Sequence, residues 1–185
     1  MPRVGLSTPA VVDAALAVLD EDGLDALTLA AVAARTGVAT PSLYKHVAGL
    51  ADLRDLLGIR VLDEMTERFT TAVLGLARDD AVTALMHAYR GYVADHPARY
   101  AAMPLDPLHD PVFAAAGRRQ LEVVLATLRG YGLTDSAAVH ATRCLRAVAH
   151  GFASLEAGGG FGLPENLDQT YAQLIDLVLA GLPRE

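Results

Sequence analysis

LAAVAARTGVATPSLYKHV, residues Leu29–Val47, reads as two short helices joined by a sharp turn. Val32 and Ala33 share one face of the first helix, and the small Ala33 admits close approach by the second. Gly37 falls where the chain must turn and where a positive φ costs glycine little. Val38 plugs the turn. Thr40 caps the next helix, and Pro41 suits its first position because the missing N–H would have no intrahelical partner there. Leu43 and Val47, at i and i+4, then face inward, which leaves Ser42, Tyr44, Lys45 and His46 outward. A helix–turn–helix lays its second helix in the major groove of DNA. A hydroxyl, a phenol, the chain's only lysine and a histidine can all hydrogen-bond phosphates or base edges. A hairpin that merely filled a bundle would carry the same turn, but it has no reason to expose that set.

Working outward, Thr8-Pro9 opens a preceding helix by the same cap-and-proline logic, with Val12, Ala15, Leu16 and Leu19 as its apolar stripe. Gly23 ends it, and Thr28 caps the helix that follows. GVATPSLYKHV, led by DGLDALTL, resembles the tetracycline-repressor (TetR) family of one-component regulators, over Leu6 to about Leu57. The turn glycine, the Pro41–Ser42 pair, Leu43–Tyr44 and His46 carry the likeness. The resemblance implies an N-terminal three-helix DNA-binding domain and an all-helical C-terminal domain that dimerises and binds a small effector. It implies DNA contacts at Thr28, Thr40, Pro41, Ser42, Tyr44, Lys45 and His46, with Thr28 touching a phosphate when it does not serve only as a cap. Many members carry lysine, a phosphate contact, where this chain has Leu50. VAHGFASLEAGGGF is similar to a C-terminal subgroup marked by a His-Gly (WHG-type) pair, matched here by His150-Gly151.

The composition suits a well-buried helical protein, with 52% hydrophobic and 20% charged residues in 185. A net charge of −7 argues against general nucleic-acid coating, yet binding depends on the field within a Debye length, about 8 Å at physiological salt. Asp20, Glu21, Asp22 and Asp25 cluster at the end of the first helix. Leu29–Leu50 carries Arg35 and Lys45 and no acid, which predicts few phosphate contacts and a shallow salt dependence. The single cysteine, Cys144, excludes an internal disulfide and fits a reducing cytoplasm. Apolar runs stay short of the ~18 residues that cross a membrane, and Met1–Leu6 has no signal-like apolar core.

Beyond Gly49 a long helix is expected from Leu50 to about Leu76, with Leu50, Leu53, Leu57, Val61 and Met65 in one stripe and Gly58 as a place to bend. Asp79 and Asp80 open the next helix, with Val82, Met86, Tyr89 and Val93 on its apolar face, and it runs to His96. A short helix over Pro97–Met103, an irregular loop over Pro104–Pro111 and a helix over Val112–Arg129 follow. In the last of these Leu121, Val124, Leu125 and Leu128 face inward. Thr134 caps a helix to Ala157 whose apolar stripe is Ala137, Ala141, Cys144, Val148, Phe152 and Leu155, beside a more polar stripe of His140, Arg143, Ala147 and His150. GGGFGLPEN connects to a last helix capped by Asn166 and bearing Tyr171, Leu174, Ile175 and Val178. The fold class is all-α, about nine helices, divided into a helix-turn-helix domain (1–48) and a ligand-binding and dimerisation domain (49–185).

No residue constellation points to catalysis or a cofactor. The six histidines lack the spacing of a helical metal site, as His87/His96 and His140/His150 show. GGGFG lacks the lysine of a phosphate loop. An effector pocket in the C-terminal helices would draw apolar groups from Met65, Met86, Tyr89, Met103, Phe113 and Cys144, each of which ordinary core packing explains more readily. His87, Arg90, His140 or Arg143 would supply polar groups, although His140, Arg143 and His150 also suit a dimer interface. The expected protein is therefore a cytoplasmic, non-enzymatic regulator. It would bind palindromic double-stranded operator DNA as a homodimer and be released, as a repressor, by a small molecule. The alternative is a helical ligand-binding or enzymatic protein with a purely structural N-terminal hairpin.

Overall fold

The computed structural model describes residues 6–183; apart from Leu6, the segment Met1–Leu6 discussed above lies outside them. Among the described residues there are nine α-helices and no strand: α1 (Thr8–Asp22), α2 (Leu29–Thr36), α3 (Thr40–Leu43), α4 (Leu50–Val73), α5 (Arg78–Asp95), α6 (Pro97–Ala101), α7 (Ala114–Leu128), α8 (Asp135–Ala157) and α9 (Leu167–Ala180). They form two compact units, the first of Met1–Leu62 with Ala98–Ala116 and the second of Asp63–Pro97 with Gly117–Glu185. The unit that holds the helix pair is thus larger than its first 48 residues. It takes in the start of α4 and a strap returning from much later in the chain.

In the first unit, Val11, Ala15, Leu19, Val32, Leu43 and Leu53 are fully or almost fully buried. Two caps differ from the sequence reading. Ser7 caps α1 by accepting from the Ala10 N–H (3.3 Å), while Thr8, already helical, donates its hydroxyl to the His46 carbonyl (3.3 Å). Ala39, not Thr40, precedes α3 and gives no side-chain cap, so Thr40 and Pro41 take the first two helical positions. The turn explains this shift: Gly37 (φ 68) and Val38 bond back to the end of α2, and Ala39 is the extended residue left over.

The strap is held in two places. Arg99 grips Asp20 through Nε (2.8 and 3.1 Å) and Nη2 (2.5 Å). Phe113 packs with Leu62, Ala116, Ile59 and Met103 and lies over Gly58, where a Cβ would stand 2.7 Å from its Cε1. Gly58 therefore makes room for a ring.

In the second unit α8 lies along α5, and α9 covers both. Their junction is polar and aromatic at once. The buried Tyr171 hydroxyl donates to the Met86 carbonyl (2.7 Å), and its ring meets Phe152 at 4.7 Å. Arg90 crosses the faces of Phe152 and Tyr171 at 5.2 and 5.0 Å and bonds Glu156 (2.7 and 2.6 Å) and Asp168 (2.8 Å). The Glu156 bonds chiefly, then those of Asp168, hold the Arg90 pKa well above its ordinary value, and burial pushes that of Tyr171 up. The Gly158–Asn166 connector is anchored here too, by Phe161 on Phe152 at 4.8 Å.

The expected α8 stripe is only partly the buried one. Ala138, Leu145, Ala149, Phe152 and Ala153 are buried, whereas Ala137, Cys144 and Leu155 are exposed. The helix is apolar over more than one face: Phe152, with Ala141 and Val148, keeps its expected place against the core, while Ala137, Cys144 and Leu155 fall on the exposed side. Smaller differences are that α4 stops at Val73 and α7 starts at Ala114, with Leu121, Val124 and Leu125 only half-buried. Thr134 precedes α8 without a side-chain cap bond.

Gly58→Ala should destabilise the protein. The gain of ~1 kcal/mol in helix propensity is outweighed by overpacking against a buried ring, which typically costs about 1–3 kcal/mol. Phe113→Leu in the same chain should turn Gly58→Ala neutral or favourable, read as non-additive urea midpoints. Additive midpoints would show that the ring is not the constraint.

Candidate nucleic-acid interface

The reading element is built from a short helix and the turn that continues it. After α3, the Val47 and His46 amides both bond the Leu43 carbonyl (3.0 and 2.8 Å), so Tyr44–His46 prolong the helical path without extending α3 itself. Leu43 and Val47 are buried and fasten this path to the first unit. Tyr44 is 58% exposed, a large side chain with no core to serve. Lys45 and Pro41 are also exposed, and Thr40, Ser42 and His46 are half-exposed. The structure thus brings six of the seven expected DNA residues onto one short segment. Thr28 is exposed as well and accepts the Ala31 N–H at 3.1 Å, so it does cap α2. The Ala48 amide, just beyond the reading path, donates to Asp52 Oδ2 (2.7 Å).

Charge on this surface is sparser than the sequence suggests. Arg35 is engaged by both oxygens of Glu21 at 2.5 Å, and those bonds hold the Glu21 carboxyl below the usual carboxylate range. A periodicity argument treats α1 and α2 separately and misses this pairing. Lys45 is left as the cation of the reading path.

The expected effector residues fall in both compact units. Met103 and Phe113 share the strap cluster of the first unit, while the rest lie in the second unit. There Met65 and Met86 are buried, Tyr89 stacks on Phe69 at 5.7 Å, and Arg90 is committed to its two carboxylates. His140 and Cys144 are exposed. An open groove of about 720 Å³ lies between α4 and α5, lined by Glu64, Glu67, Arg68, Ala72, Ala84 and His87 among others, of which His87 is an expected residue. Arg68 lies across Gly91 there and bonds Asp95 (2.7 Å). No group of three or more potential metal ligands occurs among the described residues, and no helix among them is long and apolar enough to cross a membrane.

Two family models match the chain. "Bacterial regulatory proteins, tetR family" covers residues 11–49, and "Tetracyclin repressor-like, C-terminal domain" covers 82–178. An uncharacterised HTH-type transcriptional regulator of Mycobacterium tuberculosis is 40% identical over 97% of this chain and 83% of its own. The chain belongs to the TetR family. Members of that family are DNA-binding, ligand-responsive transcriptional regulators, and the chain carries the family's helix-turn-helix in residues 11–49. Its fold agrees with solved structures. A Rhodococcus protein of unknown function has a TM-score of 0.85 at 22% identity, with both chains fully covered. The Streptomyces coelicolor TetR-family protein ActR, solved in complex with (S)-DNPA, has a TM-score of 0.69 at 20% identity over 95% of this chain and 96% of that one.

Thr28 offers a clean separation of capping from DNA contact. Thr28→Ala should lower stability by about 1 kcal/mol, whereas Thr28→Asp keeps a good cap. If the residue also faces a phosphate, Thr28→Asp should hold the wild-type unfolding midpoint and still weaken DNA binding in an anisotropy titration. Unchanged DNA affinity in Thr28→Asp would leave the residue with the cap alone.

Proposed function

We propose that this chain is a homodimeric repressor that reads a palindromic operator and is released by a small molecule. The observation that carries the reading is the exposed Tyr44–Lys45 pair, set on a path whose Leu43 and Val47 are sealed in the core. Thr40, Pro41, Ser42, Tyr44, Lys45 and His46 contact the groove, and Thr28 contacts a flanking phosphate. The functional division falls at 48/49: the first part reads DNA, and the rest binds effector and dimerises. The protein works in the cytoplasm, where its DNA is, and needs no cofactor, metal or catalytic group.

The dimer uses the outward face of α8 with α9. Ala137, His140, Cys144, Ala147 and Leu155 lie exposed at helical spacing, and Leu177 on α9 is 72% exposed. Gly151 supports this face. A glycine inside a helix costs ~1 kcal/mol against alanine, yet a Cβ here would meet nothing within 4 Å. Close approach by a partner helix accounts for it, and the His150-Gly151 pair supports membership of the His-Gly subgroup. Two-fold operators call for two-fold proteins.

Effector binding would alter the distance between the two reading paths. Leu50–Val73 belongs partly to each compact unit, so a shift in its second half is carried covalently toward the first. A coupling of ~1–3 kcal/mol would loosen DNA about 5–150-fold, and operator must weaken effector binding by the same factor.

Three measurements test the reading. On a selected operator, Tyr44→Ala and Lys45→Ala should each lose roughly 1–3 kcal/mol with unchanged melting; wild-type affinity in both would reject the groove assignment. Leu177→Glu should give a folded monomer with collapsed operator affinity, where Phe152→Glu or Ile175→Glu, at buried positions, would unfold the chain. A wild-type monomer by light scattering at micromolar concentration, still binding operator, would rule the dimer out. Calorimetric titration of a releasing compound with and without saturating operator should differ by the reciprocal factor; equal affinities would discard the switch.

A further inference from the structure

Among the described residues the first unit carries five Lys or Arg side chains: Arg35, Lys45, Arg54, Arg60 and Arg99. Three are taken by carboxylates of the same unit, Arg35 by Glu21, Arg60 by Asp13 and Arg99 by Asp20. Lys45 and Arg54 have no carboxylate partner among the described residues. Lys45 belongs to the reading path. Arg54 is exposed on α4, beyond the end of that path.

Two observations fix where Arg54 stands. α4 begins at Leu50, four residues after His46, and the Ala48 amide bonded to Asp52 holds its first turn against the end of the reading path. Arg54 is four residues further on, ~6 Å along the axis, and helical side chains lean toward the N-terminus of their helix. An extended arginine thereby brings its guanidinium back over the first turn. The second observation is a hollow of about 260 Å³ that Arg54 lines with Leu24, Asp25, Leu27, Leu57 and Ala101 among others, all in the first unit. Leu27 directly precedes Thr28, the cap of α2. Arg54 therefore stands between the start of α2 and the start of α4.

The acids around it leave it uncommitted. No acid lies three or four residues from Arg54 on α4, where helical side chains meet. Asp52 accepts from the Ala48 amide, and Asp55, the next residue along, does not face Arg54. Asp25 lines the hollow and forms no ion pair with it, while Asp20 and Glu21 are held by Arg99 and Arg35.

We propose that Arg54 grips the DNA backbone at the flanking phosphate that Thr28 faces, so that Lys45 and Arg54 are the two cations each protomer sets on the duplex. This rests on the operator-binding regulator argued above and adds the residue and its target, a phosphodiester oxygen. A guanidinium offers that anion paired N–H donors, and neither cation has to leave a carboxylate to reach it. Each neutralised phosphate contributes about −0.9 to the slope of log affinity against log salt, so a dimer with two such cations per protomer has a slope of roughly −3.6, four times −0.9.

The test follows the full-length protein by anisotropy on a selected operator and on a random-sequence duplex, between about 50 and 200 mM salt. Arg54→Gln should melt like the wild type, lose about ten-fold or more in affinity on both duplexes, and bring the operator slope to roughly −1.8. Arg54→Lys should recover most of the slope, because an ammonium also neutralises a phosphate. Arg60→Gln removes a cation already bound to Asp13 and should keep the wild-type slope. An unchanged slope in Arg54→Gln would overturn the proposal, as would an equal fall in Arg60→Gln or a slope that Arg54→Lys leaves at the glutamine value. A melting temperature lowered in both Arg54 variants would assign the side chain to the walls of the hollow, and overturn it too. A protein that selects an operator through Tyr44 and Lys45 but keeps its slope in Arg54→Gln loses this contact and remains a regulator. One whose slope depends on Arg54 but which selects no sequence keeps the phosphate contact and loses the regulatory role. Absence of binding to any duplex would discard both.

Discussion

A bundle made from the first sixty or so residues has too little interior to stand firmly alone, since domains of that size bury only about 60% of the surface their unfolded chains expose. The reading unit meets this constraint by borrowing. Arg99 and Phe113 bring a distant stretch of chain onto α1 and α4, and Asp20 and Gly58 are the receiving points. Leu43 and Val47 then sit in an interior deep enough to hold a four-residue helix, which could not persist by its own hydrogen bonds. Tyr44 and Lys45 are displayed because their neighbours are so firmly fixed.

The second unit solves a different problem. Its α5–α8–α9 junction contains an arginine, two carboxylates and a tyrosine hydroxyl in an aromatic setting, and each polar group there is matched. With α5 and α9 covering one side of α8, the other side exposes Cys144 and Leu155, with Gly151 half-buried between them. Core and outward face are thus two sides of one helix, and both are rich in small or apolar residues.

That doubling is why part of the molecule was legible in the sequence and part was not. The helix pair could be read because Gly37, Pro41 and the Leu43–Val47 spacing act locally, over a few residues. The neighbouring hydroxyls Ser7 and Thr8 could not be ranked, because either suits a cap and only the bond from Thr8 to His46 decides between them. Only half of the α8 stripe, Ala141, Val148 and Phe152, faces the core, because periodicity reports that a helix has an apolar side and not its full extent when two sides are apolar. Met65 and Met86 are buried, and residue type and spacing give a core methionine and a pocket methionine the same signature. The strap gave no local signal, since Arg99 and Asp20 lie 79 residues apart.

The strap also orders events at the ribosome. The first unit is discontinuous in sequence, so it remains unfinished when residue 62 emerges and is completed only once residue 116 has followed. The difference is 116 − 62 = 54 residues, which at ~5–20 residues per second takes about 3–11 s. Through that interval the helix pair is attached to a half-covered α4 whose Gly58 notch is empty. A nascent chain of this protein therefore begins to read DNA late, after a good part of its second unit has already been synthesised.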